Sequence, residues 1–144
     1  MLYIDSSVLL VYTLTQSIEI ERFEVTNRFF TKVVSGEIIA ATSFYALHEL
    51  YIFALENTPN LNTGYVFGKA ALMKILSTPV YILPFVSRTE RKALTDKFTG
   101  LKDSTDIPHA ISAFSSGCKA IVAYDEHFRA ISHVISYKTP EDYV

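Results

Sequence analysis

Four acidic residues stand at positions where their chemistry could be used. Asp5 directly follows the apolar run Leu2 to Ile4, and Asp125 directly follows Ala120 to Tyr124, so both fall at the ends of predicted strands. In open α/β sheets, ligands bind in the crevice outside the carboxyl ends of the strands. Glu49 lies within Phe44 to Leu55, a segment apolar nearly all round and so predicted to be a substantially buried helix. A carboxylate there loses hydration, at a cost of several kcal/mol unless it is paired or metal-bound. Asp103 and Asp106 are three apart, a spacing that shares one helical face once the turn has begun. Carboxylates converging on one rim repel, and such a cluster requires raised pKa values or bound cations. All-oxygen coordination suits Mg²⁺ or Mn²⁺ better than Zn²⁺. The histidines His48, His109, His127 and His133 show no zinc-ligand spacing. His109, three after Asp106, could contact the rim, but a helix-surface role is the expectation.

Each acid also has a purely structural explanation. Asp5-Ser6-Ser7 before Val8-Leu9-Leu10 is a helix N-cap signal, and Asp125 could begin a turn. Glu49 and His48 could occupy a narrow exposed edge, or Glu49 could pair with a Lys or Arg. Ser104 or Thr105 is the expected N-cap of the next helix, with Pro108 in its first turn. Asp103 there would be stabilised by the helix dipole alone. Asp106 is better explained functionally, in combination with Asp5, Glu49 and Asp125.

The elements that position these acids alternate. Strands are predicted at Leu2 to Ile4, Ile38 to Ala41, Val80 to Phe85, Ala120 to Tyr124 and Val134 to Ser136. Helices are predicted at about Ser7 to Leu14, Glu21 to Ser35, Phe44 to Glu56, Tyr65 to Leu76, Arg88 to Phe98 and Thr105 to Ser115. Asn57 to Asn60 reads as a loop, and Gly117 as a helix stop. One helix between most strands, and two between the second and third, predict a parallel sheet covered on both faces.

With 144 residues, 49% of them apolar and 19% charged, the chain is expected to form one globular domain spanning 1–144. Its longest uninterrupted apolar run, Leu50 to Leu55, is far short of a membrane span. Met1 to Asp5 shows no basic leader, and Cys118 is the only cysteine, which excludes an internal disulfide. A cytoplasmic location, away from membranes, is the expectation. The net charge of -2 gives no support to bulk electrostatic attraction for nucleic acid. From Arg88 to Lys102, however, Arg88, Arg91, Lys92, Lys97 and Lys102 face only Glu90 and Asp96. A solvated helix face accounts for such a run, and an RNA-backbone-contacting rim is the sharper alternative.

These residues resemble a known family, the PIN-domain nucleases. Met1 to Ser7 resembles the opening strand and Asp-Ser/Thr turn, and Thr42 to Leu50 resembles the segment with a Ser and then the second acid. Asp106 to Ala113 is similar to the helix with the third acid, and Ile121 to Phe128 to the fourth motif. The ending Thr139 to Val144 also resembles the family's. The likeness is weakest between Asn57 and Lys102 and is greatest to the small, single-domain VapC-like toxins. It implies a three-layer α/β/α sandwich with a parallel sheet of about five strands. It also implies that Asp5, Glu49, Asp106 and Asp125 hold one or two Mg²⁺ or Mn²⁺ ions and catalyse endonucleolytic hydrolysis of RNA. Ser6 and Ser7 would support the site, with Asp103 as an outer acid. An antitoxin partner and a homodimer are further implications, with Tyr45, Tyr51 and Phe53 as candidates for an antitoxin groove. The family often has Thr or Ser two residues before the fourth acid, where this chain has Ala123. That change is expected to loosen the second metal position or to alter substrate handling.

Two other classes fit less well. A phosphotransfer receiver needs an acidic pair after the first strand and an Asp after the third, where this chain has Asp5 alone and Pro84 to Ser87. Glycine-loop nucleotide binding lacks both G-x-G-x-x-G and a P-loop. A PIN-like RNA- or protein-binding module with a degenerate or inactive site remains the alternative to the hydrolase.

Overall fold

A computed structural model describes residues 1–144. Five short strands, β1 (Leu2–Ile4), β2 (Ala40–Ser43), β3 (Tyr81–Leu83), β4 (Ala120–Val122) and β5 (Ser136–Lys138), form one all-parallel sheet in the order β3-β2-β1-β4-β5. The helices are α1 (Ser6–Thr13), α2 (Ile20–Val34), α3 (Phe44–Glu56), α4 (Leu61–Leu76), α5 (Arg88–Leu94) and α6 (Ile107–Ser115). Three 3₁₀ segments, Thr95–Phe98, Glu126–Ile131 and Pro140–Tyr143, complete the chain.

Alternation along the strands divides the core in two. Leu2, Ile4, Ala120 and Val122 face one layer and pack with α1, α2, α3 and α4 through Leu9, Phe30, Leu50 and Ile75. Tyr3, Ile121 and Ala123 face the other, with α6 and the 3₁₀ segments, through Phe98, Ile111 and Phe128. The expected three-layer α/β/α sandwich is therefore what the chain forms.

Two strands lie two residues later than their apolar runs suggest. Ile38 donates its amide to the Lys32 carbonyl, finishing the turn after α2, and β2 is built instead from the small buried residues Ala40 to Ser43. Val134 and Ile135 bond back to Ile131, closing a turn, so β5 starts at Ser136. The predicted start of α6 is corrected as well. Neither Ser104 nor Thr105 is its N-cap: residues 103 to 106 form a turn, and Asp106 itself takes the cap position. Asp103 and Asp106 thus do not share a helical face.

Local capping delivers the chain to the carboxyl edge. The Asp5 carboxylate caps α1 by accepting from the Ser7 amide, and the Ser43 hydroxyl caps α3 by accepting from Ala46. Helix α3 is then fixed from behind by α4. A methyl group added at Gly64 would lie 2.8 Å from Leu55 Cα and 2.9 Å from the Ala54 carbonyl oxygen, both backbone atoms of α3. At Gly68 it would meet the Tyr51 ring at 2.7 Å. Glycine costs a helix about 1 kcal/mol relative to alanine, whereas overpacking costs about 1–3 kcal/mol. Because the obstacle at Gly64 is backbone, overpacking wins. Gly64→Ala is expected to lower unfolding stability in urea by up to about 2 kcal/mol net; raised stability would show that α4 can step away freely.

Candidate metal centre at the carboxyl edge of the sheet

The strand order reverses between β1 and β4, and the crevice there is where an open α/β sheet offers a binding site. Asp5 follows β1, and its amide donates to the Val122 carbonyl at 3.0 Å, prolonging the β1–β4 pairing. Ser7 fastens this corner. Its hydroxyl donates to Asp5 Oδ2 at 2.6 Å and accepts from the Tyr124 amide at 3.0 Å. The backbone just before Asp125 is thereby tied to the first acid. Ser6 serves the second acid, donating its hydroxyl to Glu49 Oε2 at 2.5 Å.

The residue that joins these acids is His109. It is not on a helix surface, as its place in the sequence suggested, but 1% exposed beneath the rim. Its Nε2–H donates to Glu49 Oε1 at 2.8 Å, since an ionised carboxylate can only accept. Nδ1 lies 2.8 Å from the Tyr3 hydroxyl and 3.7 Å from Asp5 Oδ1. The Tyr3 hydroxyl continues to Ser43 Oγ at 2.6 Å, so the cap of α3 belongs to the same network. Glu49 finds neither a Lys nor an Arg. Its partners are this imidazole and a serine.

The electrostatics follow from burial and neighbours. Desolvation raises the Asp5 carboxyl pKa, and His109 and Ser7 offset only part of the rise. Desolvation pushes Glu49 upward too, but the His109 hydrogen bond and charge and the Ser6 hydroxyl outweigh it, leaving its pKa lowered. For His109 burial favours the neutral ring, yet the hydrogen bond to Glu49 and the charges of Asp5, Glu49 and Asp106 raise its pKa.

Asp106 and Asp125 form the other half of the rim. Asp125 Oδ1 accepts from the His127 amide at 2.9 Å and lies 3.2 Å from His127 Nδ1. Asp106 Oδ2 is 3.4 Å from the same nitrogen. It is buried and has no hydrogen-bond partner. One atom from each of Asp106, Asp125 and His127 can be chosen so that all lie within 4.8 Å of one another. Asp106 is pushed from its usual 3.8 to about 6, first by desolvation, then by the charges of Asp125, Asp5 and Asp103. A buried carboxylate oxygen without a donor, beside a second carboxylate and an imidazole, fits a divalent cation. These residues therefore suit Mg²⁺ or Mn²⁺, with the nitrogen of His127 better matched to Mn²⁺.

The remaining candidates separate. Asp103 is exposed and accepts from the Thr105 amide and hydroxyl, which lowers its pKa, and its charge bears on Asp106. None of the five basic residues from Arg88 to Lys102 makes an ion pair. Arg91 shares a cavity of about 430 Å³ with Glu49, and Lys102 shares a smaller one with His127. Lys97 sits over the Phe114 ring, and Arg88 and Lys92 lie exposed on α5. Ala123 is fully buried against the core of the second layer. Sequence reasoning missed the parts played by His109, His127 and Tyr3. The helical spacing of His109 from Asp106 was the one signal that could have found the first.

No protein-family profile matches the chain, and no curated protein does. Solved structures do. The chain is similar to VapC20 of Mycobacterium tuberculosis, described as a sarcin-ricin loop cleaving toxin, with a TM-score of 0.68 at 16% identity, covering 94% of this chain and 98% of that one. It is also similar to VapBC2 from Rickettsia felis, solved bound to a DNA fragment from their promoter, with a TM-score of 0.63 at 15% identity, covering 96% and 98%. The fold is the PIN-like fold of VapC toxins.

Two measurements probe the rim. A carboxyl whose pKa is higher folded than unfolded takes up a proton on folding between the two values. The Asp106 contribution to stability is therefore fully present below 3.8 and is lost as pH rises through about 6. Asp106→Asn removes the charge, so it is expected to raise the metal-free melting temperature by a few degrees near neutral pH and to have little effect near pH 4. Equal shifts at both would show that charge is not the cause. His109→Ala leaves two carboxylates without their shared partner and should cost about 3 kcal/mol in chemical denaturation; a loss below about 1 kcal/mol would mean that the network contributes little.

Proposed function

We propose that this chain is a Mg²⁺- or Mn²⁺-dependent endoribonuclease, the toxin component of a toxin–antitoxin pair. The observation that carries this reading is Asp106 Oδ2, buried and lacking a donor, beside Asp125 and His127 and within the field of Asp5. The likeness to VapC20, described as a sarcin-ricin loop cleaving toxin, supports the reading at the level of the fold. The likeness to VapBC2 supports an antitoxin partner in the same way.

In this reading Asp5, Glu49, Asp106 and Asp125 hold one or two ions, joined by His127. When bound, a divalent ion lowers the pKa of water and neutralises charge on a phosphodiester, allowing water to add to phosphorus as a P–O bond breaks. The protein's own contribution is preorganisation. Ser7 orients Asp5, and Ser6 and His109 keep Glu49 ionised and aimed. Asp103 adds charge outside the first ring of acids, and Arg91 and Lys102 offer cationic points for the RNA backbone on either side. Arg88, Lys92 and Lys97 extend that basic surface. A homodimer and a cytoplasmic setting belong to the same proposal. No helix is long and apolar enough to cross a membrane.

Calorimetric titration with Mn²⁺ tests the site without knowledge of the RNA. Saturable binding is expected, weakened by more than about 100-fold in Asp5→Asn and Asp106→Asn, since even supporting residues of metal sites contribute 10–100-fold. Both variants should stay folded and lose RNA cleavage, and chelation should abolish cleavage in the wild type. Cleavage undiminished in both variants would place the chemistry elsewhere. RNA affinity with no metal-dependent turnover would favour the binding module.

A further inference from the structure

Beside the acids lies a group of rings that the proposed chemistry does not use. Phe85 follows β3 at the same carboxyl edge and is 61% exposed, an unusual position for a phenyl ring. It is nevertheless held in place. Phe44 stacks on it with ring centres 5.4 Å apart, and Tyr45 meets it edge-on at 5.0 Å. Tyr45 is in turn fixed by the Val86 amide, which donates to its hydroxyl at 3.0 Å. Phe85 and Tyr45 line the cavity of about 430 Å³ whose other walls include Glu49, Arg91, Ser104 and Thr105.

We infer that this cavity is a nucleobase subsite: an unpaired RNA base stacks on Phe85 while Arg91 contacts an adjacent phosphate. The inference rests on the ribonuclease reading and deepens it by assigning Phe85 and Arg91 to the nucleotide next to the cleaved bond. The lining chemistry selects a base over an apolar peptide. Leu, Ile, Val and Met are absent from its lining, where the Pro108 ring is the one aliphatic surface beside two aromatic rings and five polar or charged side chains. What it offers instead is flat aromatic surface, hydroxyls for the polar edge of a base and a guanidinium with no acidic partner. Stacking of this kind needs only a π-face, so it tolerates any base, but a base inside a duplex is already stacked and its face is hidden. A ring already held by two neighbours loses little freedom when the base arrives. Glu49 on the wall of the cavity sets the separation, since a nucleotide seated here lies next to the acidic rim.

The test is fluorescence anisotropy of the full chain with a labelled oligoadenylate of about eight nucleotides, within the size range of single-strand sites. Ca²⁺ replaces the activating ion, so that binding is read without efficient turnover. Phe85→Ala is expected to weaken binding about tenfold or more, while Phe85→Tyr stays within about twofold, because a base stack is worth about 1–3 kcal/mol. Arg91→Ala should weaken binding and lower the slope of log affinity against log salt by about one. A blunt RNA duplex should bind more weakly than the single strand and be indifferent to Phe85→Ala. Phe85 is exposed, so matching thermal melts should show that its variants fold. Wild-type binding that Phe85→Ala leaves unchanged overturns the inference and leaves the ribonuclease reading standing. Oligoadenylate bound by neither protein, with no RNA cleaved in Mn²⁺, overturns both.

Discussion

Repulsion among carboxylates is the constraint around which this molecule is arranged. Two like charges about 4 Å apart near a protein surface cost about 4 kcal/mol, and this edge gathers four acids. The fold meets that cost with His109, a nearly buried imidazole bonded to Glu49 and facing Asp5. It is a permanent member of the chain, whereas a divalent ion would come and go. The acids on its side of the crevice are neutralised or hydrogen bonded from within. Asp5 and Asp106 both keep raised pKa values, but only Asp106, with no hydrogen bond from His109, has a buried oxygen without a donor. The division between acids answered by the protein and acids left unanswered marks where an ion has most to contribute.

The scaffold's economy serves this arrangement. Strands of three or four residues bring every strand end to one edge, and no strand is long enough to do more. Small side chains in β2 let β1 approach, with Thr42 donating its hydroxyl to the Ile4 carbonyl at 2.8 Å just before Asp5. Ser43 both ends β2 and joins the hydroxyl chain to His109, so strand, cap and site meet at one oxygen. The glycines of α4 belong to the same design, because the position of α3 sets how far Glu49 reaches over the sheet.

The sequence was informative where one local force dominates. Helix α3 was legible to the residue because apolar composition, a serine cap and a following loop all agree there. The acids were legible as candidates too, since Asp5 and Asp125 follow strand signals and Glu49 interrupts an apolar helix. Boundaries failed where apolar residues serve turns, as Ile38 and Val134 do, while alanines and hydroxyls make the strand. His109 failed for a different reason. A histidine in an amphipathic helix reads as surface, and only the convergence of Tyr3, Asp5 and Glu49, far apart in sequence, makes it a buried partner. Asp106 was identified as an acid of interest but not as the cap residue, because Thr105 is drawn into a turn with Asp103 instead.

Strand order also dictates a sequence of events during synthesis. Of the five strands the middle one, β1, is made before the rest, and one of its neighbours, β4, follows only after β2, β3 and six helices. Contacts that span so much of the chain form late, since the intervening segment must be ordered first. Asp5 and Ser6 therefore wait through the making of α2, α3, α4 and α5 before Asp106 and Asp125 arrive. A nascent chain holds the first half of the rim without the second. If the rim cuts RNA, the growing polypeptide is harmless to its own message until Asp106 and Asp125 have been made, a safeguard that parallel topology supplies without any additional part.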